Sequence, residues 1–144
     1  MIHRPNQVYS VALQEDAKRD LDALYESDEA AAADIEVFLE ETKNNQYTLE
    51  NLTRNGYVQY DDPAYNVKEW KEAKKRRLNL WRLQLAWLQG PASNYRIVYA
   101  FYPIQFRYYI LGIVHRKQLD YDNFNSPICQ RIISTYDDLD IPSY

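Results

Sequence analysis

The residues of this 144-residue chain best suited to chemistry are cations set into apolar surroundings. Arg82, Arg96 and Arg107 interrupt stretches that are otherwise aliphatic or aromatic, and His115-Arg116-Lys117 follows the last of them directly. Such a concentration suits an anionic partner, and guanidinium groups in particular grip phosphates through two parallel hydrogen bonds. Lys68, Lys71, Lys74 and Lys75 add a second source of cations. A plainer reading stands beside this one. A His-Arg-Lys cluster at a strand end is often a solvated edge that discourages sheet-to-sheet pairing, and Arg107 is taken as that case. Trp70, Trp81 and Trp87 read as core residues, and with 14 tyrosines in the chain no single tyrosine stands out by type alone.

Charge is strongly segregated beneath a net value of −4. Residues 1–66 carry 5 Lys/Arg against 14 Asp/Glu, whereas residues 67–117 carry 11 against 2. Residues 118–144 return to acidity, with Arg131 against 5 Asp. Either the basic block meets nucleic acid or the acidic and basic halves neutralise each other within the fold, and composition leaves both open. The single Cys129 excludes an internal disulfide and a cysteine-based zinc cluster, which fits a reducing cytoplasm. His3 and His115 are too few for a histidine-rich metal site, so no metal or cofactor is expected. With only Gly56, Gly90 and Gly112, the chain has no glycine-rich phosphate loop. No apolar run approaches the ~20 residues needed to span a bilayer, and no signal peptide is evident at the start.

The elements that must position these cations are legible from periodicity. Residues 78–88 alternate, with Trp81, Leu83, Leu85 and Trp87 on one face and Arg82, Gln84 and Ala86 on the other. Residues 95–102 are β-branched and aromatic and stop at Pro103, which cannot give a ladder hydrogen bond. Residues 105–114 are apolar almost throughout, as in a strand covered on both sides. The short links predict an antiparallel meander. Upstream, residues 8–13 predict a strand that joins the same sheet. Residues 14–27 form a helix burying Ala17, Leu21 and Leu24, and residues 28–43 a second helix burying Ile35, Phe38 and Leu39. Together these make an αα-hairpin, with Ser27 or Asp28 as the cap between them. Residues 44–65 read as a long loop pinned by Leu49 and Leu52, and residues 66–77 as one more short helix. Ser126-Pro127 opens a helix near residues 127–137, with Ile128, Ile132 and Tyr136 recurring every four positions.

The pieces LWRLQL, YRIVYAF and YYILGIVHRKQLDY, in that order and spacing, resemble the C-terminal half of RelE/ParE-superfamily toxins of bacterial toxin–antitoxin pairs. The resemblance covers residues 78–121 well and residues 8–54 weakly, leaving residues 55–77 as an insertion about which the family says nothing. It implies an α+β fold over a single domain, 1–144, with the N-terminal strand and αα-hairpin packed on a mainly antiparallel sheet of about four strands and a short C-terminal helix.

The resemblance also implies a chemistry: metal-independent attack of a ribose 2′-OH on the adjacent phosphate of messenger RNA in the ribosomal decoding site. Arg96 matches the family arginine that clamps the scissile phosphate. Arg116 matches the one that stabilises the transition state, and Tyr121 the tyrosine that stacks on or orients an exposed base. Arg82 and Gln84 depart from the lysine pair of the RNA-cutting members, so His115, the residue type best suited to base work near neutral pH, is the expected base. Lys74 and Lys75 join Arg82 and Gln84 as expected RNA contacts. The implied partners are a cognate antitoxin, the ribosome and messenger RNA. Two alternatives remain: a ParE-like inhibitor of DNA gyrase without nuclease chemistry, favoured by Arg82/Gln84, and a non-catalytic antitoxin-binding module.

Overall fold

The computed structural model describes residues 8–142, so His3 lies outside the described residues. In chain order they form β1 (Ser10–Leu13), α1 (Glu15–Ser27), α2 (Glu29–Lys43), α3 (Gln46–Glu50), β2 (Val58–Gln59), β3 (Tyr65–Glu69) and α4 (Lys71–Lys75). Then come β4 (Leu80–Leu85), a 3-10 turn (Pro91–Asn94), β5 (Tyr95–Tyr102), β6 (Arg107–His115) and α5 (Pro127–Asp138). The fold is α+β, built on one mixed sheet of order β1-β6-β5-β4-β3-β2. β1 runs parallel to β6 and the remaining neighbours are antiparallel. The meander β4-β5-β6 is the one the alternation predicts.

The αα-hairpin covers one face. α1 buries Ala17, Leu21 and Leu24, and α2 buries Ala31, Ala32, Ile35, Phe38 and Leu39, as their helical spacing requires. Asp28 is the cap: it closes α1 and accepts a hydrogen bond from the Ala31 amide at 3.2 Å, so one residue makes the whole turn. Beneath the hairpin lie Tyr65, Val67, Trp81, Leu83, Leu85, Ile97, Tyr99, Tyr108, Ile110 and Ile113. The opposite face carries a second core in which Leu80, Val98, Ala100, Leu111 and Val114 meet Cys129, Ile132 and Tyr136 of α5. Two cores account for the apolar character of β5 and β6, because both their faces are covered. Ser126 caps α5 through the Cys129 amide at 3.3 Å, with Pro127 in the first turn.

Four expectations are corrected. The sheet has six strands among the described residues, not about four, because residues 58–69 add β2 and β3 beyond β4. The segment 66–77 is not one helix: β3 occupies its start and only Lys71–Lys75 is helical. Tyr65 and Val67 alternate inward against the free edge of β4, and that ladder outweighs a weak helical stripe. Residues 44–65 are likewise not all loop, holding α3 and β2, although Leu49 and Leu52 are buried as expected. The alternation of β4 ends at Ala86, which sits in the left-handed region at φ 53°. Trp87 therefore leaves the core face and stands half-buried against Tyr60, while Trp70 and Trp81 are core. No helix among the described residues is long and apolar enough to cross a membrane.

Candidate nucleic-acid interface

On the face opposite the αα-hairpin, α5 and its flanking segments bury residues of β5 and β6 and Leu80 of β4, whereas Lys68 is exposed and Asn66, Arg82 and Gln84 are half-buried. Period-two alternation sends Asn66 and Lys68 of β3, Arg82 and Gln84 of β4 and Arg96 of β5 to that face, where they line a recess of about 60 Å³. The ladder sets them side by side: Lys68 pairs with Arg82, Asn66 with Gln84, and Arg82 with Val98.

Gln84 and Arg96 share an anchor. The Gln84 amide donates to the Ser93 carbonyl at 2.9 Å, and Arg96 Nη1 donates to the same oxygen at 3.0 Å and to the Tyr95 carbonyl at 3.1 Å. The 3-10 turn thus fixes the Arg96 guanidinium through one terminal nitrogen. Arg82 is held differently: its guanidinium carbon lies 3.9 Å from the centroid of the Tyr121 ring. That is close cation–π contact, yet the buried Arg82 Nε has no hydrogen-bond partner. Tyr121 is itself locked by Trp70, whose indole N–H donates to the Tyr121 carbonyl at 2.9 Å and whose ring meets it edge-on at 5.6 Å. The Tyr121 hydroxyl is buried beside Arg96 without a well-aligned hydrogen bond.

Burial draws the Arg96 guanidinium below its ordinary pKa; Tyr121 opposes this, while Arg82 and Arg116 push it down further. No carboxylate contributes. Among the described residues, Lys68, Arg82, Arg96 and Arg116 make no ion pair with any Asp or Glu. The ion pairs of the fold lie within helices, around α4, or between α1 and α5, where Arg131 meets Asp20 at 2.6 Å. None joins a cation of residues 67–117 to an acid of residues 1–66, so internal neutralisation does not account for the basic block among the described residues. Lys68 and Arg116 are exposed, and Arg82 and Arg96 half-buried.

The expected site residues therefore divide. Arg82, Gln84, Arg96 and Tyr121 converge, and Arg116 lies within electrostatic reach of Arg96. His115 does not join them. Val114 turns to the α5 face, so the next residue turns to the other, and His115 sits edge-on to Tyr95 at 5.2 Å in a hollow that Asp20 and Leu24 of α1 also line. Its Nδ1 accepts from the Lys117 amide at 3.1 Å. Lys74 and Lys75 also fall outside the recess, pairing with Glu69 at 3.0 Å and Glu72 at 3.8 Å. Arg107 stands apart at the β1 side, donating to Ser10 Oγ at 3.2 Å. Asn66 is not a candidate from the sequence, and Lys68 figures there only among the second source of cations, not with Arg82, Gln84, Lys74 and Lys75 as an expected RNA contact. The Tyr65/Val67 alternation was the signal, masked by reading a helix there.

Among the described residues no group of three or more His, Cys, Asp or Glu lies together as a metal site would require. Comparison with protein-family models, curated proteins and solved structures finds no match for this chain.

Proposed function

We propose that this protein is the toxin of a RelE-like toxin–antitoxin pair, acting in the cytoplasm on messenger RNA held in the ribosome. The observation that carries the reading is the convergence of Arg82, Arg96 and Tyr121 on one face, where among the described residues neither arginine forms an ion pair with a carboxylate. Phosphodiester cleavage by a ribose 2′-OH concentrates negative charge on the phosphorus oxygens. In this reading Arg96, pre-positioned by the Ser93 and Tyr95 carbonyls, clamps the phosphate, and Arg116 and Arg82 meet the developing charge. Tyr121 holds Arg82 in place and offers its ring region to an exposed base. With His115 on the other face, the contribution of the recess is electrostatic rather than proton transfer by imidazole. The antitoxin would cover the cationic face with acidic residues.

The lack of an imidazole or carboxylate in the recess favours a second reading, a ParE-like inhibitor of DNA gyrase. One experiment separates them: cell-free translation with the purified protein, mapping new messenger RNA ends with and without ribosomes. Ends that appear only on translated message, in register with codons, are the expected result. Intact message together with inhibition of supercoiling by gyrase would replace the first reading with the second. Silence in both assays would leave the antitoxin-binding module.

A further inference from the structure

We infer that β3 is a working wall of the site and that Lys68 binds the same RNA phosphate as Arg82 and Arg96. The inference rests on the RNA-directed reading above and assigns a residue within it. Lys68 stands directly across the ladder from Arg82, and both point to the open face. Like charges placed opposite one another on a sheet repel, a cost that an anion seated between them removes. Among the described residues neither Lys68 nor Arg82 has a carboxylate partner to act as that anion. Of the cations that follow in the same segment, Lys74 pairs with Glu69, and Lys75 and Arg76 with Glu72. Arg82 lines the same recess, and its Nε is buried there without a hydrogen-bond partner.

The segment serves the site twice. Two residues after Lys68, Trp70 is 1% exposed and grips the backbone and ring of Tyr121, which in turn stacks on Arg82. Residues 65–70 thus bring one cation into the recess and brace the aromatic ring that holds another. A single phosphate group of single-stranded RNA, met by two guanidinium groups and one ammonium, fits both the chemistry and the small size of the recess.

The test is binding of a fluorescein-labelled single-stranded oligoribonucleotide, followed by anisotropy across a salt series. Wild type is compared with Lys68→Met, Lys68→Arg and, as a control on α4, Lys71→Met. Each phosphate contact on single-stranded nucleic acid contributes about 0.7 to the slope of log affinity against log salt. Lys68→Met is expected to lower the slope by about that amount and the affinity by roughly fivefold to tenfold at low salt. Lys68→Arg should restore the slope, and Lys71→Met should leave it unchanged. A Lys68→Met protein that keeps the wild-type slope, or a Lys71→Met protein that loses as much, overturns the assignment to Lys68 alone. Wild type that does not bind the oligoribonucleotide overturns the assignment of Lys68, whereas the RNA-directed reading stands or falls on the messenger RNA ends mapped with and without ribosomes. Circular dichroism of each variant confirms that the sheet is intact.

Discussion

Arg96 is held by one nitrogen on two carbonyls, at 3.0 and 3.1 Å, so its planar fork is aimed before any ligand arrives. A lysine at this position would keep the charge but lose the paired donors. Arg96→Lys is therefore expected to lower the inhibition of cell-free translation by roughly tenfold to a hundredfold, the loss of one charge-assisted hydrogen bond. Arg96→Ala should abolish growth inhibition in cells with the protein still folded. His115→Gln supplies the contrast. Its ring lies against Tyr95 on the α1 side, so growth inhibition should persist, and a loss as deep as that of Arg96→Ala would contradict the face assignment.

At the scale of elements, α1 and α5 lie on opposite faces of the sheet and meet around the open edge of β6. Asp20 of α1 joins them, accepting from Arg131 at 3.0 and 2.6 Å and from the Ile113 amide at 2.9 Å. It pairs the β6 amide that β1, ending at Leu13, is too short to reach. Side-chain exposures of 30% for Arg131 and 15% for Asp20 place this pair between surface and buried regimes. Asp20→Ala is expected to cost about 2 kcal/mol, lowering Tm by roughly 6 °C, and Asp20→Asn about half as much because it keeps an acceptor for Ile113. Equal losses in calorimetry would show that the ion pair, and not the amide, carries the bridge. The elements most readable in advance were those with long, clean periodicity: α1, α2 and the β4-β5-β6 meander. β3 was misread because five residues give too few repeats to separate period two from period 3.6, and the free edge of β4 decided between them.

On the whole-molecule scale, two tyrosines tie the sheet to α3 and the residues just after it. Tyr99 donates to the Leu52 carbonyl at 2.7 Å and Tyr108 to the Leu49 carbonyl at 2.5 Å, both from full burial. Burial, with lesser repulsion from Tyr108 and Tyr65, raises the Tyr99 pKa well above 10.0, and burial likewise raises that of Tyr108. The unfolded chain thus gives up these protons first. Stability is complete below the unfolded value near 10.0 and falls as pH climbs from there toward the raised folded values. Alkaline unfolding should set in above pH ~10, with tyrosinate absorbance and loss of helical dichroism rising together. Tyr99→Phe should cost about 1–2 kcal/mol at neutral pH by leaving a buried carbonyl unpaired, and should make the alkaline decline shallower. An unaltered decline would place its origin elsewhere.

The sequence by itself determined the helical hairpin, the antiparallel meander, and the presence of Arg82 and Gln84 on the face away from Trp81, because those follow from side-chain periodicity along one element. It also exposed the basic block, since charge is a property of composition. Which cations share a surface depends on how the strands pair in three dimensions. His115 and Arg96 lie on neighbouring strands, but the alternation along each strand puts them on opposite faces of the sheet. Lys74 and Lys75 are as basic as Lys68, yet a short helix turns them to Glu69 and Glu72 while the strand before it carries Lys68 to Arg82. Which face a residue takes depends on strand register and on which strand edge is free, and both are set by contacts between segments far apart in the chain.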